Sequence, residues 1–121
     1  SNINACREEF PKKKICMIFQ PHRFSRTAQL FDDFIKILKK VDSLILLDIY
    51  AASEKPIKGI DSRTIVESIK QLGHKDTLYV KNHSDVIEII NSKSNKFDIL
   101  ITQGAGSVSS VCELIKNKWK K

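Results

Sequence analysis

KICMIFQPHRFSRTAQLFDDF, residues 14–34, decides the fold. Its first six residues are almost continuously apolar. That run is too short for an ordinary helix and lacks the alternation of a half-solvated strand. It reads as a strand buried on both faces, as in a parallel sheet. Further on, Leu30, Phe31, Phe34, Ile35 and Leu38 recur at spacings of three and four. This predicts a helix over residues 27–40 with one apolar face, capped by Ser25 or Thr27. Between strand and helix stands PHRFSR. The N-terminal end of a helix carries partial positive charge, so cations there cost stability and anions gain it. Either Arg23 and Arg26 turn into water, or something negative sits among them. Two guanidinium groups can clamp a carboxylate or phosphate through paired hydrogen bonds, and His22 can add a further bond.

The pattern repeats outward from that unit. Residues 43–49, SLILLDI, read as a second buried strand. A loop with Pro56 and Gly59 follows, then a helix from Asp61 or Ser62 to Leu72, with Ile65, Val66, Ile69 and Leu72 inward and Gly73 ending it. Residues 77–80 form a short third strand, and Ser84 caps a helix to about residue 91. Residues 97–102, FDILIT, form a fourth strand, followed by GAGS and a terminal helix bearing Val108, Val111, Cys112, Ile115 and Trp119. Alternating strands and helices imply an α/β fold of Rossmann-like, three-layer type, with a largely parallel sheet and right-handed crossovers. The whole of residues 1–121 reads as one domain, with no repeat and no linker. Under a strand order of 3-2-1-4, the loops after strands 1 and 4 flank the switch point. Such sheets bind ligands outside the carboxyl ends of the strands at that point. The loop after strand 2 would lie next door.

Composition bounds the function without choosing it. The chain has 121 residues, 41% hydrophobic and 29% charged, enough for a core without disulfides or metals. No apolar run suffices to span a membrane, and no signal peptide is legible. Three cysteines, Cys6, Cys16 and Cys112, lack metal-ligand spacing and read as reduced thiols of a cytoplasmic protein. A net charge of +7 favours an anionic partner, or equally an ordinary lysine-rich surface. The scattered His22, His74 and His83 make no metal cluster, and the last two read as surface residues.

Two further motifs would share the rim. QGAGSVSS, residues 103–110, starts like a dinucleotide fingerprint, but Ser109 replaces the third glycine and no acidic residue can follow at the usual distance. Gly104 and Gly106 still permit close backbone approach, either to a ligand or merely within a tight turn. YAASE, residues 50–54, offers Tyr50 and a carboxylate, Glu54, able to hold an arginine or a substrate ammonium, or to do neither. Lys55 and Lys58 lack the glycine pattern of a phosphate-binding P-loop.

These three motifs occur in the same order as in the C-terminal domain of the Mur ligases, the ATP-dependent amide-forming ligases of peptidoglycan synthesis. FQPHRFSRTAQLFDDF resembles the opening of that domain in the branch that joins L-alanine to UDP-N-acetylmuramate. DIYAASEKPIKGIDS is similar to its second signature, with Ser53 where glycine is common, and ITQGAGSV to its last, with Ser107 where aspartate or asparagine often stands. The resemblance runs from about residue 4 to the end. It implies a lid domain that is inactive alone. In the whole enzyme the other domains hold the UDP-sugar, ATP and Mg2+, and the muramate carboxylate passes through an acyl phosphate that the amine of L-alanine attacks. It implies catalytic roles for Arg23 and Arg26. His22, Arg23, Arg26, Tyr50, Glu54, Gly104 and Gly106 are the implied substrate-binding residues, with no nucleic acid or membrane partner and no metal held by this domain. Two other classes stay open: a basic nucleic-acid-binding module, which would require salt-sensitive binding, and a stand-alone nucleotide-binding domain.

Overall fold

The computed structural model describes residues 2–74, 76–82 and 84–104. Its elements run α1 (Asn2–Glu9), β1 (Ile15–Gln20), α2 (Phe24–Gln29), α3 (Phe31–Leu38), β2 (Ser43–Leu47), α4 (Ser62–Gln71), β3 (Thr77–Val80), α5 (Ser84–Lys93), a 3-10 turn (Ser94–Lys96) and β4 (Ile99–Gly104). The four strands are parallel, in the order β3-β2-β1-β4. The topology is therefore the one that puts β1 and β4 side by side at the switch point.

Strand alternation divides the core into two. Ile15 and Met17 of β1, with Leu44 and Leu46 of β2, pack beneath α1, α3 and α4 through Ile3, Ile35, Leu38, Ile65 and Ile69. Cys16 and Ile18, with Ile45 and Leu47, pack on the other face against Val86 and Ile90 of α5 and Phe97. Every residue of β2 is buried, as a central parallel strand requires. Each fully buried Ile or Leu contributes roughly 1.5–3 kcal/mol. The layers are helix, sheet and helix, the Rossmann-like arrangement expected from the alternation.

Several local expectations need correction. The helix over 27–40 begins earlier and is interrupted: Leu30, at φ −107° and ψ 14°, ends α2 and starts α3. Asp32 and Asp33 in the first turn of α3 suit a new helix start. Neither Ser25 nor Thr27 caps α2; Arg23 occupies that position without a side-chain cap. Asp61, not Ser62, caps α4 by accepting from the Thr64 N–H at 2.8 Å. Ser62 is buried and donates instead to the Leu47 carbonyl. Leu72 is 52% exposed, because its backbone leaves the helix before Gly73 turns with φ 101°. His74 is a half-buried tie rather than a surface residue, its ring bonded to the Val41 carbonyl and the Thr77 hydroxyl. Helix α1 adds to the expected elements; Ile3 is 1% exposed and anchors it. His83, Gly106, Cys112 and the terminal helix lie outside the described residues.

Candidate functional site at the carboxyl ends of the strands

Pairing between β1 and β2 does not stop with the strands. The Tyr50 N–H donates to the Pro21 carbonyl at 2.8 Å, and the Arg23 N–H donates to the Tyr50 carbonyl at 2.7 Å. This extension places His22 beside Tyr50 as an isolated parallel bridge. Their rings stack with centroids 5.6 Å apart and planes 11° from parallel. The first and second sequence motifs are thus tied together by backbone, not merely brought near.

Arg23 pays for that tie with its backbone. Its φ is 67° and its ψ 142°, a region glycine enters freely and a side chain does not. Conformations of this kind cost about 1–3 kcal/mol and persist where neighbours over-determine them. Here the Tyr50 carbonyl fixes the Arg23 N–H. On the other side, Thr27 donates to the Arg23 carbonyl twice, from its N–H at 3.2 Å and its hydroxyl at 2.7 Å. Thr27 is 3% exposed. Its role was invisible in the sequence, where it read as a cap.

Something negative does sit at the start of α2, and it is Glu54. Its carboxylate accepts from the Ser25 N–H at 3.1 Å and from the Ser25 hydroxyl. These bonds, the hydroxyl's first, with the Phe24 N–H and the Arg23 charge adding to them, hold its pKa below the ordinary carboxylate value. Ala52 (φ 50°) and Ser53 (φ 72°) make the bend that returns Glu54 to the helix. A positive φ at Ser53 is the physical reason glycine suits that position. The carboxylate therefore holds the helix end rather than an arginine side chain.

The side chains of His22, Arg23 and Arg26 line one shallow basin of about 410 Å³ with Ser25 and Gln29. Arg23 and Arg26 are both exposed. His22 and Arg26 also border a second crevice, of about 370 Å³, between β1, β4 and the α2–α3 junction. Phe19, Leu30 and Phe34 give it apolar walls; Gln20, Gln103, Thr27 and Gly104 complete it. Phe19 and Phe34 meet edge to face at 4.8 Å. Gly104 lies opposite Gln20 in register. A Cβ on Gly104 would come within 2.7 Å of the Gln20 carbonyl oxygen, so close strand approach here demands glycine. The basic hexapeptide and the first glycine of the last motif share one rim, as the 3-2-1-4 order requires.

Polar residues that the sequence reading passed over also gather here. Gln20 donates through Nε2 to the Asp48 carbonyl at 3.2 Å, while its Oε1 is buried without a partner among the described residues. The Oε1 of Gln103 is likewise buried and unpartnered among the described residues. A polar residue near the carboxyl end of a largely apolar strand, as Gln20 and Gln103 are, is the signal that points to them. On the flank, the Tyr79 hydroxyl donates to Asp48 and Arg63 lies 5.2 Å from the centre of the Tyr79 ring. Burial first, and Asp48 second, push the Tyr79 hydroxyl up to about 12, so it stays a donor at neutral pH.

The class defined by these features is an α/β domain of Rossmann type with a cationic rim at its switch point. No family model matches the sequence. Among solved structures, the chain is similar to a domain of a protein from Haemophilus ducreyi, described as a UDP-N-acetylmuramate:L-alanyl-gamma-D-glutamyl-meso-diaminopimelate ligase. The TM-score is 0.65 at 13% identity, covering 97% of this chain and 77% of that one. At that identity the likeness establishes the fold.

Proposed function

We propose that this chain is the amino-acid-binding lid of an ATP-dependent ligase of peptidoglycan synthesis, the one that joins L-alanine to UDP-N-acetylmuramate. The carrying observation is the rim itself: His22, Arg23 and Arg26 face one basin, and Arg23 is held there against its backbone preference. The collinear Mur ligase motifs and a Mur ligase domain among the structural likenesses support the same reading. In it, Arg23 and Arg26 receive the carboxylate of the amino acid and the charge that grows as its amine attacks the acyl phosphate. Donors fixed in advance stabilise such growing charge without reorganising. Tyr50 fixes the Arg23 backbone, Glu54 holds the helix end, and Gly104 at the end of β4 closes the wall. Closure of the lid excludes water from the acyl phosphate.

Among the described residues, no cluster of His, Cys, Asp and Glu side chains is arranged to hold a metal ion. In the proposed enzyme, which is cytoplasmic, ATP and Mg2+, together with the UDP-sugar, are held by the other domains. No described helix is long and apolar enough to cross a membrane. Within the intact ligase, Arg26→Ala should lower kcat/KM for L-alanine by about 10²-fold, the scale of losing one fixed donor, with the fold unchanged by circular dichroism. Unaltered alanine kinetics would remove the clamp. Alanine ligation by residues 1–121 alone would remove the lid.

A further inference from the structure

Leu30 sits where a leucine of an apolar helix face is not expected. It precedes Phe34 and Leu38 at intervals of four, so the spacing carries the core side of α3 back to it. Leu38 is 2% exposed and Phe34 is half-buried, yet Leu30 is 42% exposed. The helix breaks at this residue, and its side chain ends as a wall of the 370 Å³ crevice, with Phe19 and Phe34 as the other apolar walls. Phe19 and Phe34 also border a smaller cavity of about 90 Å³; Leu30 is not among the residues lining it, so its exposed surface belongs to the open crevice. Hydrocarbon left in water forfeits the free energy that burial would return. A ligand that covers Leu30 recovers it.

The charge at this crevice has one sign. Arg26 is exposed and His22 half-buried, and both also line the 410 Å³ basin, so the two spaces adjoin at these residues. Among the described residues, no acidic side chain lines either space. The basin of about 610 Å³ at the amino ends instead mixes Lys12, Lys14 and Lys96 with Asp42, Asp76 and Asp98, and sets no preference of sign. Concave sites with apolar walls and a few placed polar groups are the usual form of a small-molecule site. Here the requirements are hydrocarbon and a negative charge, and a carboxylate meets the Arg26 fork with paired hydrogen bonds. We propose that the crevice is a hydrocarbon subsite continuous with the anion basin, taking carboxylates that carry an aliphatic chain longer than a methyl group. This goes beyond the lid reading, whose L-alanine offers only a methyl group. Under that reading, restriction to a small side chain falls on the domain that the lid closes upon.

The test uses the 121-residue chain and two carboxylates of equal charge that differ in hydrocarbon, propionate and isocaproate, each titrated to high millimolar concentration by NMR. Isocaproate should bind at least about tenfold more tightly, the scale of burying two of its additional carbons, and should shift the Leu30 methyl signals. In Leu30→Gln the preference should fall below about threefold, since the exposed apolar wall is gone. That variant should melt within about 2 °C of the unaltered chain, because the side chain already stands largely in water. Arg26→Ala should weaken both probes by a similar factor. Equal binding of the two probes by the unaltered chain overturns the proposal and leaves the lid reading standing. A tenfold preference that survives Leu30→Gln does the same, as does isocaproate binding that Arg26→Ala leaves untouched. A large drop in melting temperature in Leu30→Gln assigns the residue to the core and overturns the proposal as well. A chain that binds neither probe also overturns it, and the lid reading is then decided separately by Arg26→Ala in the intact ligase.

Discussion

The two ends of the sheet treat polar groups in opposite ways. At the amino ends of the strands, carboxylates are engaged in holding backbone and neighbouring side chains. Asp42 accepts from the Ile15 N–H at 2.8 Å and from Arg7 at 2.9 Å. Asp98 accepts from the Lys14 N–H at 2.9 Å. Asp76 takes the Ser43 hydroxyl and the Lys93 ammonium, and His74 links Val41 to Thr77. At the carboxyl ends, Arg23 sits in a strained conformation, two guanidinium groups face a basin, and two carboxamide oxygens are buried without a partner among the described residues. One end is organised to hold the strands in register. The other uses its bonds, from Glu54 to Ser25 and from Thr27 to Arg23, to hold a strained turn that presents exposed guanidinium groups, which suits a surface waiting for a ligand.

The contrast breaks most readily at Asp76. Replacing it with alanine strands the Ser43 hydroxyl, in a residue 2% exposed, and removes the counter-charge of Lys93, whose side chain is 13% exposed. An unpaired buried donor costs about 1–3 kcal/mol, so Asp76→Ala should destabilise by about 2–3 kcal/mol in urea titration. A change below about 0.5 kcal/mol would mean the amino end is no better organised than the rim.

Acid sharpens the same comparison. Burial works to raise the pKa of Asp42, but the Ile15 N–H and Arg7 outweigh it and leave the carboxyl below its ordinary value. Burial likewise opposes, and Lys93 and Ser43 outweigh, for Asp76. A carboxyl whose folded pKa is depressed gives its stability above the unfolded pKa, near 4, and loses it as pH falls through the lower folded value. The melting temperature should therefore hold from pH 7 to about 5 and drop below about 4. Asp42→Asn and Asp76→Asn should each flatten that drop, while Glu67→Gln, exposed on α4, should leave it unchanged. An equal flattening by Glu67→Gln would trace the acid loss to general surface charge.

How much of this was legible differs between the two ends. The continuous apolar runs of β1 and β2 announced a parallel sheet, since burial on both faces leaves no alternation to conceal them. The placement of PHRFSR and the first glycine at one rim followed from strand order. The break at Leu30 was not legible, because Leu30 continues the helical spacing and only its backbone departs from it. Nor was the tie of Thr27 to Arg23, since a threonine near a helix start reads as a cap whichever carbonyl it serves. Glu54 read as a carboxylate for an arginine, for a substrate ammonium or for neither, because the bend through Ala52 and Ser53 that returns it to Ser25 needs positive φ at residues that do not advertise it. The amino-end carboxylates were invisible for a related reason: each bonds residues remote in sequence.

The smallest expected effect is the most discriminating, because its sign differs from the others. Arg23→Gly removes a guanidinium and also removes the Cβ that makes φ 67° costly. Glycine gains freedom in the unfolded chain, which opposes folding by about 0.5–1 kcal/mol relative to alanine, but at this φ the relief of strain is about 1–3 kcal/mol. The N–H still donates to Tyr50 and the carbonyl still accepts from Thr27, so no hydrogen bond is lost. The net result should be a stabilisation of about 1 kcal/mol in urea, accompanied by weaker binding of carboxylate probes at the basin. Arg23→Ala keeps the strain and loses the charge, so it should weaken the same binding without raising stability. A glycine variant no more stable than the alanine variant would show that Arg23 sits there at no cost, and the rim would lose its claim to differ from the other end of the sheet.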